Sequence, residues 1–156
     1  MDMWTKPSIV LLAALMLPAC ASVKTEIHID APKEEVWKVL TDAEEYEEWN
    51  PVLIRADGTI RTGETVTYRV RQPGGEEYDI VAEVVRADAA KELHQHGGTW
   101  GILTFDHHWI LEPVEGGTRV VQHENYRGIG VWFWDPSWFE GAYARALDAL
   151  SARLEP

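Results

Sequence analysis

The chain has 156 residues, a formal net charge of −12 and one cysteine. Such acidity suits neither nucleic-acid phosphates nor anionic lipid headgroups, so any membrane contact has to be apolar or covalent. No intrachain disulfide can form, and with 46 % apolar residues, eight tryptophans among them, the fold is held by its core alone.

A lone lysine, Lys6, precedes an apolar run from Ile9 to Leu17. The run is shorter than the roughly 20 residues that span a bilayer and has the length of a signal-peptide core. It ends in Leu17-Pro18-Ala19-Cys20, which resembles the lipobox of bacterial lipoproteins. The resemblance implies a signal peptide over 1–19, a lipid on Cys20, and one domain over 20–156 facing the periplasm of a bacterial cell envelope. Ala21 lacks the aspartate that retains such proteins at the inner membrane, so the resemblance leans to the outer one. An ordinary cut at Ala19-Cys20-Ala21 and an uncleaved leader stand as alternatives, and all of them export the chain.

Val23, Thr25, Ile27 and Ile29 alternate with polar residues and predict a first strand, about three residues after Cys20. A tether of that length spans on the order of 10 Å. Asp30-Ala31-Pro32 opens a helix, with Asp30 as the capping candidate and Glu34 and Glu35 in the favourable first turn. A second short helix, about 43–48, has to end before Asn50-Pro51 because proline pushes its predecessor out of helical space. Six strands follow over about 52–60, 64–71, 78–87, 91–97, 103–113 and 118–127, separated by turn signals. Asp135-Pro136 opens a long helix whose stripe is Phe139, Tyr143, Ala146, Leu147, Leu150 and Leu154. An antiparallel meander has to bury that stripe on its concave face.

Several short motifs sit on this pattern: Ala31-Pro32, Val36-Trp37, Leu40-Thr41-Asp42, Tyr46 and Trp49-Asn50-Pro51, then His107, Leu111-Glu112-Pro113, Gly117-Thr118-Arg119-Val120, Glu124 and Gly128. In order and spacing the chain resembles the START-related, polyketide cyclase-like (SRPBCC) superfamily over about Val23–Leu154. The resemblance implies an α+β helix-grip fold: a seven-stranded curved antiparallel sheet around the C-terminal helix, with two short helices after the first strand. It also implies an internal cavity for a hydrophobic ligand, or a cyclase or dehydratase built on the same cavity. No cofactor and no metal is assigned.

Turn positions fix the register. A hairpin centred on Glu115-Gly116 pairs Leu111 with Val120, Trp109 with Gln122 and His107 with Glu124, and the apolar members choose that face as the buried one. The Asp88-Ala89 turn pairs Leu93 with Val84 and Gln95 with Ala82, also inward, and Gln95 is set opposite His107. Buried polar groups need partners. His107 and Glu124 are read in three ways: a satisfied core pair, polar anchors for a ligand, or a general acid–base pair for an aldol-type cyclisation or dehydration. Trp49, Gln95, His107, Trp109, Gln122, Glu124, Tyr126 and Tyr143 are the expected cavity residues, with 130–138, including Trp134 and Trp138, as a lid. On the opposite face His94, His96 and His108 have the spacing of a three-histidine zinc site, and with His123 that of a pH-responsive patch; an exposed face offers nothing to orient the rings. By the resemblance the aromatic segment 130–139 lies at the cavity mouth, where Trp132, Trp134 or Trp138 either touches the membrane or caps the pocket.

Overall fold

The computed structural model describes residues 19–155. The leader as far as Pro18 lies outside them, and so does the signal-peptide reading that rests on it. Strand β1 (Ala19–Ile29) leads to helix α1 (Lys33–Thr41), a 3-10 turn (Ala43–Glu45) and a short helix α2 (Tyr46–Trp49). Six strands follow: β2 (Leu53–Gly58), β3 (Thr65–Arg71), β4 (Glu77–Asp88), β5 (Glu92–Thr99), β6 (Leu103–Val114) and β7 (Gly117–Gly128). A second 3-10 turn (Ile129–Phe133) precedes helix α3 (Ser137–Leu154). The strands form one antiparallel sheet in the order β1-β7-β6-β5-β4-β3-β2, with α3 on its inner face. This is the expected helix-grip arrangement.

Local chemistry sets the corners. Asn50 is extended (ψ 115°), as Pro51 requires. Its Oδ1 accepts the backbone N–H groups of Val52 (3.0 Å) and Leu53 (2.9 Å), which turns the chain from α2 into β2. Asp30 does not cap α1: its carboxylate takes the His28 ring at 2.8 Å, and Pro32 holds the N-cap position with no side-chain cap.

Two expectations are corrected. β1 begins at Ala19, not Val23, because β7 runs to Gly128 and its backbone groups need a partner strand. Ala19 pairs with Gly128 and Cys20 with Arg127, so Cys20 belongs to the ladder and no tether separates it from the strand. The β4–β5 register also differs from the turn arithmetic. A bulge between Val84 and Arg86 adds a residue, and Gln95 faces Val84, Gly97 faces Ala82 and Leu93 faces Ala87. Leu93 and Gln95 remain inward and buried. The β5–β6 and β6–β7 registers are as expected, His107 lying opposite both Gln95 and Glu124.

The core is unequal along α3. Toward the C-terminal end, Leu147 and Leu150 pack with Trp109, Leu111, Val120, Val36 and Leu40 into a filled cluster. Toward the N-terminal end, Phe139, Ala142, Tyr143 and Ala146 meet Val52, Val70 and Tyr126. The strand residues opposite that end are small: Ala82 and Gly97 are buried, and Gly98 turns there with φ +94°. A Cβ on Gly97 would lie 2.4 Å from the Phe105 ring, so β5 keeps glycine where Phe105 crosses it.

Trp109, with 1 % of its surface exposed, plugs the filled end. Trp109→Ala should cost about 3–5 kcal/mol, read as a lower urea midpoint; a midpoint equal to that of the parent would show that the plug is dispensable.

Candidate functional site

The open end of the core is a cavity of about 430 Å³ between the sheet and the first half of α3. β3 and β4 supply Tyr68, Val70 and Ile80; β6 supplies Leu103, Phe105 and His107; β7 supplies Glu124 and Tyr126; α3 supplies Phe139 and Tyr143. Alternation along each strand puts these residues on one face.

The polar atoms in and behind this wall pair in three sets. The Tyr126 hydroxyl donates to Glu124 Oε2 and lies 3.2 Å from the Tyr143 hydroxyl. Gln122 Nε2 donates to His107 Nε2 at 3.0 Å, which places the imidazole proton on Nδ1. The His107 ring lies nearly parallel to Tyr143, with centroids 5.6 Å apart and an interplanar angle of 24°. Gln95 Nε2 donates to the Tyr68 hydroxyl at 2.7 Å.

Burial sets the charge state. It pushes the Glu124 carboxyl up to about 8, aided by the Asp106 charge and opposed by the Tyr126 hydrogen bond. It pushes His107 down to about 3, and the neighbouring His108, His123 and His94 act in the same direction. Tyr68 is raised to about 12 by burial, and Tyr126 is raised by burial and by Glu124. At neutral pH the few polar groups of the wall are therefore uncharged. Glu124 is protonated, with Oε2 occupied by Tyr126 and Oε1 free of any partner among the described residues. Tyrosine hydroxyls, a carboxylic acid and an imidazole N–H present donors to whatever fills the space.

Of the expected cavity residues, Gln95, His107, Glu124, Tyr126, Trp134 and Tyr143 line it. The other four do not. Trp109 and Gln122 sit one pair further along β6 and β7, behind His107. Trp49 packs on Tyr46 in the filled cluster, 5.2 Å between centroids. Trp138 lies against Phe139 at 3.9 Å, and Phe139 rather than Trp138 faces the space. Of the three tryptophans expected at the mouth, Trp134 packs on Tyr126 at 4.6 Å, Trp138 is half-buried, and only Trp132 is exposed. Tyr68, Val70, Ile80, Leu103 and Phe105 also line the cavity without standing among the expected residues, while Phe139 reaches it from the expected helical stripe. For β3 and β4 a usable signal existed: a turn centred on Gly74 pairs Tyr68 with Ile80 and Val70 with Tyr78, as observed.

On the outer face His94, His108 and His123 do form a row. The His94 and His108 rings stack at 4.0 Å, and His123 lies 6.2 Å from His108. Carboxylates already engage the rings: His94 and His96 both reach Asp106 Oδ1 at 3.1 Å, and His108 reaches Glu92 at 2.8 Å. Partial burial works against the Asp106 charge, but the bonds from His94 and His96 outweigh it and hold its carboxyl below the ordinary value. Among the described residues no group of three or more His, Cys, Asp or Glu is disposed to hold a metal ion.

A protein family described as "Polyketide cyclase / dehydrase and lipid transport" matches residues 21–155. No curated protein sequence matches the chain. Similar solved structures include a protein of Rhizobium leguminosarum (18 % identity, TM-score 0.69, 87 % of this chain and 95 % of that one). Another is Ms6760 of Mycobacterium smegmatis (18 % identity, TM-score 0.70, 86 % of this chain and 90 % of that one). A third is the di-domain ARO/CYC protein BexL of the BE-7585A biosynthetic pathway (13 % identity, TM-score 0.72), where the match covers 88 % of this chain and 50 % of that one. At these identities the likeness carries the fold alone.

The two buried groups give stability a flat top. Glu124, raised from 4.5 to about 8, contributes fully below 4.5, and that contribution is lost as pH rises through 8. His107, lowered from 6.5 to about 3, contributes fully above 6.5, and that contribution is lost as pH falls through 3. Between 4.5 and 6.5 the two slopes cancel. His107 is common to both proteins, so from pH 4.5 to about 8 the parent should lose about 1.4 kcal/mol per pH unit relative to Glu124→Gln in urea unfolding. Parallel curves for the two proteins would show that Glu124 is ionised in the fold.

Proposed function

Since the chain belongs to the polyketide cyclase / dehydrase and lipid transport family, we propose that it binds or transports a hydrophobic small molecule, lipid-like or polyketide-like, in this cavity. One observation carries the reading: a cavity of about 430 Å³ whose wall is apolar and aromatic and whose one carboxyl, on Glu124, is kept neutral. Sites of this kind hold an apolar ligand by its surface and orient it by a few polar groups. The donors on Glu124, Tyr143 and His107 fit a ligand with carbonyl, carboxyl or hydroxyl oxygens at one end.

The second reading is a cyclase or dehydratase with His107 and Glu124 as the proton-handling pair. Both face the cavity, and a protonated Glu124 is a competent acid. His107 is a weak base, however: its Nε2 lone pair is taken by Gln122 and burial lowers its pKa to about 3. This favours binding over turnover.

In the same reading the protein is exported and held at a membrane by a lipid on Cys20, facing the periplasm. What supports this is Leu17-Pro18-Ala19-Cys20 after the apolar run, together with an exposed, unpaired cysteine. Protein recovered from membranes should carry acyl mass on Cys20, and Cys20→Ser should release it. An unmodified Cys20 in the membrane-recovered protein would end the lipoprotein reading.

Native mass spectrometry of the full chain tests the ligand. Cutting the chain at Ser22 would remove Ala19, Cys20 and Ala21 from the β1 ladder, so the whole chain is the right sample. A discrete adduct of lipid or polyketide mass, lost on denaturation and weakened by Glu124→Ala, is the expected result. A bare mass after incubation with fatty acids and aromatic polyketones would overturn the binding reading. Turnover abolished by His107→Ala while binding persists would favour the enzyme.

A further inference from the structure

Large apolar side chains gather in solvent at one end of the sheet. Trp100 is 92 % exposed, Phe133 80 %, Trp132 63 %, Ile102 56 % and Ile129 43 %. They come from two segments, the β5–β6 turn and the 3-10 turn after β7. Backbone bonds hold these together: Gly130 N–H donates to Ile102 C=O at 2.7 Å, and Ile129 N–H to Gly101 C=O at 3.4 Å. Glycines permit the approach, since a Cβ on Gly128 (φ +133°) would sit 2.2 Å from the Ile102 carbonyl oxygen. The five side chains thus form one rim on a braced backbone. A contiguous exposed apolar surface of this kind marks an interaction site.

The rim is continuous with the cavity. Gly98 and Leu103, which flank the β5–β6 turn, line the cavity, and so does Trp134, next to Phe133. It is also where the chain enters the fold. Ala19 pairs with Gly128 and Cys20 with Arg127, and the apolar sequence Ile9–Leu17 stands immediately before them. A lipid on Cys20 would be brought to this rim with no slack between.

We propose that the rim of Trp100, Ile102, Ile129, Trp132 and Phe133 docks on a lipid bilayer and sets the cavity mouth against it, so that ligand passes between bilayer and cavity without crossing water. This deepens the binding reading and rests on it only for what passes through the mouth. Three features commit the rim to a bilayer. Its tryptophans suit the headgroup boundary, where one edge of an indole is apolar and the other wet. In sequence the apolar run Ile9–Leu17 comes just before Ala19, which pairs with Gly128. The overall charge of −12 excludes attraction to anionic headgroups, so docking is apolar and zwitterionic lipid suffices.

The test is quenching of tryptophan fluorescence by phosphatidylcholine vesicles brominated on their acyl chains. It uses the full chain with Trp4→Phe, which removes the indole of the leader. Sedimentation of the same samples scores vesicle binding. Bound protein should be quenched, and Trp100→Phe/Trp132→Phe, which keeps the rim apolar, should cut the quenching about twofold or more at equal sedimentation. Unchanged quenching in the double variant would overturn the proposal. So would protein that sediments with vesicles yet is not quenched, because it would be anchored with the rim turned away. Failure to sediment would overturn it as well. A concentration-dependent dimer in sedimentation velocity, lost in Trp100→Ser/Phe133→Ser, would instead assign the rim to a second copy of the chain. The adduct in native mass spectrometry is scored separately without vesicles, so loss of docking and loss of ligand binding are distinguishable.

Discussion

One helix has to fill the concave face of a seven-stranded sheet, and it does so over only half its length. The rest of the architecture follows from that mismatch. Where Leu147 and Leu150 meet Trp109, Leu111 and the α1 residues Val36 and Leu40, the interior is closed by buried apolar side chains. Where Phe139 and Tyr143 face Ala82, Gly98 and the aromatic edge of β6, no side chain is large enough to bridge the gap. The cavity lies where the filling residues of the core run out, and its volume is set by small residues on β4 and β5 as much as by large ones on the helix.

An apolar space of this kind places strict demands on the polar groups that reach it. Each needs a partner or has to give up its charge. Glu124 and His107 do both. The carboxyl keeps its proton and accepts from Tyr126; the imidazole stays neutral and accepts from Gln122. Cross-strand pairing alone suggests a bond between Glu124 and His107, but each turns to a different neighbour. The two are opposite in the ladder without being each other's partner, and this leaves donors rather than a closed ion pair facing the space.

Much of this was legible in the sequence, for one reason: strand alternation is rigid once a turn is located. The Glu115-Gly116 turn fixes β6 against β7, and with it the inward set Trp109, His107, Glu124 and Tyr126. The same arithmetic slips at β4–β5, where a bulge near Val85 shifts the pairing. Bulges leave little mark on composition, although the facing of Leu93 and Gln95 survives this one. Trp49 and Trp138 were harder. On a short helix or in a first helical turn, a small change of phase decides whether a ring or its neighbour points inward, and at the start of α3 the stripe residue Phe139 faces the cavity while Trp138 packs beside it. Trp100 gave no signal at all, because a single tryptophan between a threonine and a glycine reads as part of a turn until the Ile129–Phe133 segment is seen to lie beside it.

β6 turns His107 inward and His108 outward on consecutive residues, and β7 does the same with Glu124 and His123. Only one layer of backbone separates the two surfaces. Charges on the outer face are felt through the poorly screening interior: those of His108, His123 and His94 add to the burial that keeps the His107 imidazole neutral, and that of Asp106 adds to the burial that keeps the Glu124 carboxyl protonated. The sheet thus acts as a thin dielectric, through which the residues of one face set the protonation of the groups on the other.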